Sequence, residues 1–499
     1  MNKYLLLLLI GTALVLHGCM NLAPDYTRPE APVTSTFPAD PACREEMDKT
    51  GKMSLAEVPW QNFFTDNNLR QLISIAFENN RDLRVAALNI ERARAQYRIQ
   101  RAEIFPSVNA SGVYTKEHLP ADISGTGKAQ TVEQYNVGLG TSLWEIDFFG
   151  RIRNLKEKAL EEFFASEEGH RSAQISLIGE VAKGYLLLAA DQELLELAKQ
   201  TLKSYQETYD LTRKRFEIGL ASALEVRQAQ TSVESTRVDI ARYVGLVAED
   251  KNALGVLIGT LPPTELLPQK LSGITALKEI PAGVPSEVLQ DRPDILAAEH
   301  QLKGAYANIG AARAAFFPRI ALTASGGFAS KDLSNLFTSS SRAWSFVPRL
   351  DLPIFNAGEL RARLRVSQVD REIYLARYEK VIQNAFREVA NSLVRQKTID
   401  NQLTAQRSLV EATAESYRLS EVRFSKGIDS FLNVLDSQRS YYGSQQNLIR
   451  IRLSRLNNLV TLYNVFGGGS SDKKGTANLD TERLGDNVPK AATVAVDPE

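Results

Sequence analysis

The sequence predicts a mainly α-helical protein that enters a membrane through β-strands, and three observations carry that prediction. A turn sequence occurs twice: "RFEIGLASALEVRQAQTS" at 215–232 and "RFSKGIDSFLNVLDSQRS" at 423–440 share eight of eighteen residues without a gap, 208 residues apart. No proline interrupts the stretches between Pro120 and Pro262 or between Pro353 and Pro489, as very long helices require. Four short segments alternate apolar and polar residues with the period of a strand.

The chain opens "MNKYLLLLLIGTALVLHGCM", with one Lys, an apolar run from Tyr4 to Leu16, Gly18 and then Cys19. Residues 1–18 read as a secretory signal, too short for a spanning helix. The segment is similar to a bacterial lipoprotein signal, which implies that Cys19 becomes the first mature residue and carries acyl and diacylglycerol groups. His17 departs from the small residue usual before the cleavage site, and plain secretion with an unmodified Cys19 is the alternative. Two or more acyl chains anchor a protein stably, at about 0.8 kcal/mol per buried methylene. Only Cys43 remains beyond it, so no internal disulfide can staple the mature chain. Lys plus Arg and Asp plus Glu stand at 59 each, and this balanced field does not favour nucleic acid as a partner.

The duplication extends beyond the turns. "RDLRVAALNIERARAQYRIQRAEIFPSV" (81–108) lines up with "PDILAAEHQLKGAYANIGAARAAFFPRI" (293–320), placing Phe105 and Pro106 on Phe317 and Pro318. The chain therefore divides into an N-terminal segment at 19–66, a first repeat at 67–260, a linker at 261–285, a second repeat at 286–466 and a polar tail at 467–499.

Helices are expected over 67–104, 150–218 and 222–258, and over their counterparts in the second copy. Val181, Leu188, Leu195, Leu202, Tyr209 and Phe216 recur at sevens, and Val389, Gln396, Leu403, Val410, Tyr417 and Phe424 repeat the series. Such a stripe suits a coiled-coil partner or a large helical core. Gly219 and Gly427 suit the left-handed residue that ends a helix, and Ser222 with Glu225 forms a capping box for the next one. Asp429 or Ser430 is expected to cap the counterpart. Each repeated turn, near 219–222 and 427–430, is thus the tip of an antiparallel helical hairpin. An arm over 150–218 reaches on the order of 100 Å at about 1.5 Å per residue.

Strands are expected at 107–116, 133–146, 318–329 and 343–354. In the second of these Tyr135, Val137, Leu139, Thr141 and Leu143 alternate with Asn136, Gly138, Gly140 and Ser142. Segments of this length also suit soluble hairpins; in lipid they are barrel strands, with Tyr114, Tyr135 and Trp344 near the loop ends as interfacial aromatics. No apolar run after the signal approaches the ~20 residues of a spanning helix, which leaves strands as the route across. Lipid cannot satisfy an open sheet edge and four strands are too few to close a barrel, so several chains must share one.

These residues resemble the TolC-like outer-membrane efflux channels of Gram-negative bacteria, and within them the OprM-like lipoprotein branch. "LQDRPDILAAEHQL" (289–302), "FFPRIALTASGG" (316–327) and the paired RFxxG tips carry the resemblance, which covers about residues 20–470. It implies an outer-membrane channel fold: a homotrimer with a twelve-stranded β-barrel, an α-helical barrel crossing the periplasm, and a mixed α/β belt drawn from 50–66, 260–285 and 467–485. It implies as partners a periplasmic adaptor, an inner-membrane RND-type pump and outer-membrane lipid, and as function the exit duct of a tripartite efflux system. An exit duct for secreted proteins, or a periplasmic adaptor, is the alternative.

The resemblance also implies a periplasmic gate at Leu432, Asp436 and Arg439. Positions i, i+4 and i+7 share one helical stripe, giving an apolar ring, a carboxylate ring selective for cations, and an arginine that pairs with Asp436 or reaches a neighbouring helix. Without it, Asp436 and Arg439 read as an exposed helix pair worth about 0.2–0.5 kcal/mol. The first copy carries Gln228 where the second has Asp436. Gly219, Ser222, Gly427 and Ser430 are the implied adaptor-docking residues. No enzyme is expected: His118, His170 and His300 have no ligand spacing, there is no phosphate-binding or nucleophile-elbow motif, and no cofactor or metal is called for. The four Met of the chain form no thioether ladder for soft metals.

Overall fold

A computed structural model describes residues 21–34, 58–271 and 286–468. The signal, Cys19, Cys43, the tail from 469 and the belt segments at 50–57 and 272–285 lie outside the described residues. The elements in chain order are α1 (Trp60–Phe63), α2 (Asn67–Asn79), α3 (Arg81–Ala102), β1 (Asn109–Leu119), β2 (Gln130–Glu145), α4 (Arg151–Glu217), α5 (Ala223–Ile258), α6 (Pro293–Ala314), β3 (Arg319–Ser330), β4 (Arg342–Asp351), α7 (Glu359–Ser425) and α8 (Phe431–Val465). The chain divides into two compact units: Met1–Glu30 with Leu88–Glu168 and Leu296–Val381, and Ala31–Ala87 with Gly169–Ile295 and Ile382–Glu499.

The first unit holds one antiparallel sheet in the order β1-β2-β3-β4. Cross-strand partners share a face, so Asn109↔Gly140, Tyr135↔Ser330 and Ala321↔Arg349 fix the alternation throughout. Val137, Leu139, Trp144, Phe328, Trp344, Phe346 and Leu350 thereby fall on one side. Trp344 is 82% exposed and every residue of β4 is exposed, as a lipid-facing surface requires. Leu143 departs from the expected alternation. A bulge between Thr141 and Trp144 puts two residues opposite Thr323; Leu143 takes φ 53°, its N–H donates to the Thr323 hydroxyl at 3.1 Å, and Trp144 inherits its place on the apolar face. β4 stops at Asp351 instead of running to 354, because Pro353 has no N–H for the ladder.

The same unit holds the strap of residues 21–30 against α6. Tyr26 and Arg28 both donate to Glu299, which is itself buried, and Arg313 donates to the carbonyl of Leu22 at 3.0 Å. Arg28 and Lys303 together hold the Glu299 carboxyl below its ordinary range against the opposing effect of burial.

The second unit is helical. The expected single helix over 67–104 is broken at Asn80, which has extended backbone, caps α3 by accepting from Leu83 N at 2.8 Å and donates to the carbonyl of Leu257 at 2.8 Å. A tertiary partner, not a helix breaker, places that corner. Gly259, at φ 73°, ends α5 where a Cβ would stand 2.2 Å from the Asn79 carbonyl oxygen. The described part of the belt packs Phe63 and Phe64 against Tyr463, whose hydroxyl donates to Val58 O at 3.0 Å.

The heptad stripe of α4 holds for Val181 and Leu188, which are buried; Leu195, Leu202 and Tyr209 are half-buried and Phe216 is exposed. Asp191, Ala198, Tyr205 and Thr212 form a second buried line. Two lines are needed because α4 has two neighbours, α5 at Gly184 against Leu254 and α8 at Tyr205 against Tyr442. In α7 Val389 and Leu403 are buried and Gln396, Val410, Tyr417 and Phe424 half-buried. One correction concerns spanning helices: α4 contains an 18-residue window apolar enough to cross a membrane, but 61% of that window is buried inside the chain, as in a core helix.

Candidate functional site

Both hairpin tips close by the same backbone device. After α4, Gly219 N–H bonds Phe216 O at 3.0 Å and Leu220 N–H bonds Arg215 O at 2.7 Å; after α7, Gly427 and Ile428 repeat this on Phe424 and Arg423 at 2.9 and 3.0 Å. The left-handed residue each motif needs is Gly219 at φ 78° and Gly427 at φ 75°.

The caps that follow differ. Ser222 Oγ accepts from Glu225 N at 3.2 Å while Glu225 accepts from Ser222 N at 2.5 Å, a complete capping box. Ser430 occupies the N-cap of α8 but makes no side-chain cap, and Asp429 does not replace it. Asp429 instead accepts from Arg423 at 2.6 and 3.2 Å, and that guanidinium holds its carboxyl below the ordinary range.

Leu432, Asp436 and Arg439 all lie on the exposed side of α8, while Phe431, Val434, Leu435 and Gln438 are buried. Behind them Phe431 and Leu435 pack with Ala229 of α5, with Tyr209 and Phe424 alongside and the Arg215 guanidinium 4.8 Å from the Phe424 ring. Arg439 does not pair with Asp436. Its Nε and Nη2 donate to Ser232 Oγ on α5 at 3.2 and 3.1 Å. Further along the same two helices Tyr442 donates to Asp239 at 3.1 Å and Gln446 to the Tyr243 hydroxyl at 3.3 Å. The two hairpins are thus laced by a row of polar contacts that begins at Arg439.

Sequence reasoning missed two features. Ile218, Leu220, Leu224 and Ile428 stand exposed around the tips, 60–71% accessible, at positions where turn chemistry needs no apolar side chain; that mismatch was the available signal. The second is a carboxyl pair between α4 and α5, Asp191 and Asp250, which share a hydrogen bond. Burial first, and then the Asp191 charge, push the Asp250 carboxyl up to about 7. Burial also raises Asp191, opposed by its bond with Asp250 and by Arg450 and Arg242. Nothing in the local sequence joins these two positions.

One unit with an exposed apolar antiparallel sheet and another with duplicated helical hairpins are the two components of an outer-membrane channel. The chain belongs to the outer membrane efflux protein family, whose model matches residues 72–260 and 284–468. It is 49% identical over 478 residues to a toluene efflux pump outer membrane protein, TtgC of Pseudomonas putida, covering 96% of this chain and 98% of that one. The antibiotic efflux pump outer membrane protein ArpC of Pseudomonas putida is similar to the same degree, 49% over 478 residues with 96% and 98% covered. Among solved structures, the open-state MtrE outer membrane channel of Neisseria gonorrhoeae superposes with a TM-score of 0.81 at 37% identity, covering 90% of this chain and 99% of that one. The protein is an OprM-like outer-membrane transport protein and not an enzyme.

Proposed function

We propose that the protein is the exit duct of a tripartite efflux system, a homotrimer whose three sheets close one twelve-stranded barrel and whose helical hairpins continue the duct through the periplasm. The observation that carries this reading is the sheet itself: an exposed apolar face bounded by two unpaired edges, which lipid does not tolerate. Acylation at Cys19 adds a second hold on the membrane. A periplasmic adaptor docks on the tips at Gly219, Ser222, Gly427 and Ser430, using the apolar Ile218, Leu220 and Ile428 between them. An inner-membrane pump supplies the energy. The names of the relatives support small organic molecules, toluene and antibiotics among them, as cargo.

Leu432 and Asp436 form the gate, an apolar ring and a carboxylate ring around the axis. Arg439 keeps it shut by tying α8 to α5 through Ser232. In planar bilayers the purified protein is expected to pass small, cation-selective currents. Asp436→Ala lowers the cation preference, and Arg439→Ala enlarges the current by loosening the tie. Unchanged conductance and selectivity in both variants would remove the gate from these residues.

A further inference from the structure

The two hairpins of the sheet each place a cation on the apolar face, one step of the alternation beyond the aromatic residue nearest the loop. In the first hairpin Tyr114 and Tyr135 stack at 4.7 Å, and the next pair on that face is Lys116 with Glu133. The carboxylate answers the ammonium at 2.6 Å. In the second hairpin the aromatic is Trp344 and the next residue on that face is Arg342, opposite Phe328. Arg342 is exposed and makes no ion pair or hydrogen bond among the described residues. Asp332, the one carboxylate of the loop at 331–341, does not reach it. One of two matching cations therefore has its counter-charge within the chain, and the other does not.

The loop beside Arg342 is folded onto the same face. Thr338 and Ser341 hydroxyls both donate to Asn335 O, at 2.8 and 2.7 Å, and Leu336 is buried beneath them. This set shape brings the Phe337 ring 5.6 Å from that of Phe328 at an interplanar angle of 66°. Phe337 nevertheless remains 70% exposed and Trp344 82% exposed. A loop built for water turns such a ring inward; here the loop returns it to the apolar face, on either side of Phe328 from Arg342. Ser339 and Ser340, three and two residues before Arg342, are exposed as well.

We propose that Arg342, Trp344, Phe328 and Phe337 form a binding site for a phosphorylated glycolipid of the outer leaflet, with the phosphate on the guanidinium and an acyl chain along the three rings. The inference rests on the channel reading, which turns the loop-bearing end of the sheet outward. An arginine on the lipid face is tolerated near the interface, where a headgroup supplies the opposite charge. The guanidinium fork matches a phosphate through two parallel N–H···O bonds. Aromatic rings one step deeper meet the lipid where its acyl chains begin. Exposed hydroxyls at Ser339 and Ser340 suit a sugar above the phosphate better than they suit a small phosphodiester.

The test is native mass spectrometry of the full-length protein titrated separately with bisphosphorylated lipid A, with dephosphorylated lipid A and with phosphatidylglycerol. Bisphosphorylated lipid A is expected to bind the unaltered protein about tenfold more tightly than either other lipid, and Arg342→Ala and Arg342→Gln should each remove about tenfold of that affinity, the loss of one charge-assisted bidentate contact. Dephosphorylated lipid A should not distinguish the variants from the unaltered protein, whereas Phe337→Ala should weaken both forms of lipid A. Arg349→Ala, on the same strand but the opposite face, is the control and should bind as the unaltered protein does. Unchanged affinity in both Arg342 variants, or an equal loss in Arg349→Ala, overturns the site; phosphatidylglycerol bound as tightly as lipid A overturns the glycolipid assignment. A separate measurement isolates the channel reading: Ser340→Cys with Cys43→Ser, treated on intact cells with a membrane-impermeant maleimide, should be labelled. Absence of label overturns the outward orientation on which the site depends, while labelling together with unchanged lipid affinity overturns the site alone.

Discussion

The two hairpins share a turn and differ in what fills them. Between α4 and α5 the interior is mostly apolar: Leu194, Ala198, Val233, Val247 and Leu254 are all buried, with the Asp191–Asp250 pair set among them. Between α7 and α8 the interior is hydroxylic, with Ser420 Oγ 2.6 Å from Ser437 Oγ, Thr413 Oγ1 2.9 Å from Ser444 Oγ, and Gln406 donating to Ser444 O at 2.9 Å. Gln438 leaves its buried Oε1 without a partner there. Apolar burial scales with area and resists sliding, whereas a hydroxyl exchanges one partner for another with little net change. The first hairpin has the build of a fixed post and the second that of a part able to move, and Leu432, Asp436 and Arg439, the residues proposed as the gate, sit on the second.

The largest effect should come from a cavity in the first interior. Leu254→Ala is expected to cost about 2–5 kcal/mol, seen as lost amide hydrogen-exchange protection along α5. In the second interior the double change Thr413→Val with Ser444→Ala removes both partners of one contact and should stay within about 1 kcal/mol. Comparable losses from the two experiments would erase the distinction between post and moving part.

A smaller effect belongs to the carboxyl pair of the first hairpin. Asp250 titrates near 7 when folded and at an ordinary carboxylate value when unfolded, so the folded state holds the extra proton between those limits. Stability of the α4–α5 contact is therefore greatest below the ordinary carboxylate range, falls as pH rises toward about 7, and is flat above it. Arg450 and Arg242 favour the ionised Asp191 and Glu249 disfavours the ionised Asp250, so the pair carries one proton rather than two charges. After allowance for solvent screening of a part-exposed group, the change is about 1–2 kcal/mol. Exchange protection around Asp191 and Asp250, corrected for the intrinsic pH dependence, should decline over that window. Asp250→Asn, which keeps a hydrogen bond without the charge, should flatten the decline; an unaltered slope would place the titration elsewhere.

What could be read from the sequence follows the same division. Features set by neighbours along the chain were legible: the ends of α4 and α5, the glycines at 219 and 427, and the Ser222–Glu225 box. Features set by distant partners were not. The corner at Asn80 depends on Leu257, the bulge at Leu143 on Thr323, and the hold on Arg439 on Ser232. The missing cap at Ser430 is a different case, a competition within one tip in which Asp429 pairs with Arg423. Local rules fix where a helix ends; they do not say which of two competing side-chain bonds will form there.

The smallest effect compares the caps directly. Ser222→Ala removes an oxygen that satisfies an end N–H of α5 and should fray its first turn by about 1 kcal/mol. Ser430→Ala removes nothing that α8 uses and should stay within a few tenths of that scale. Amide exchange at Glu225 and Val226 against Asn433 and Val434 reads both. Equal fraying at the two tips would mean that Ser430 caps in solution and that the tips are alike. Fraying at Ser222 alone would mean that the second tip already lacks the local brace of the first, leaving the Arg423–Asp429 pair as its side-chain fastening, one that salt should weaken.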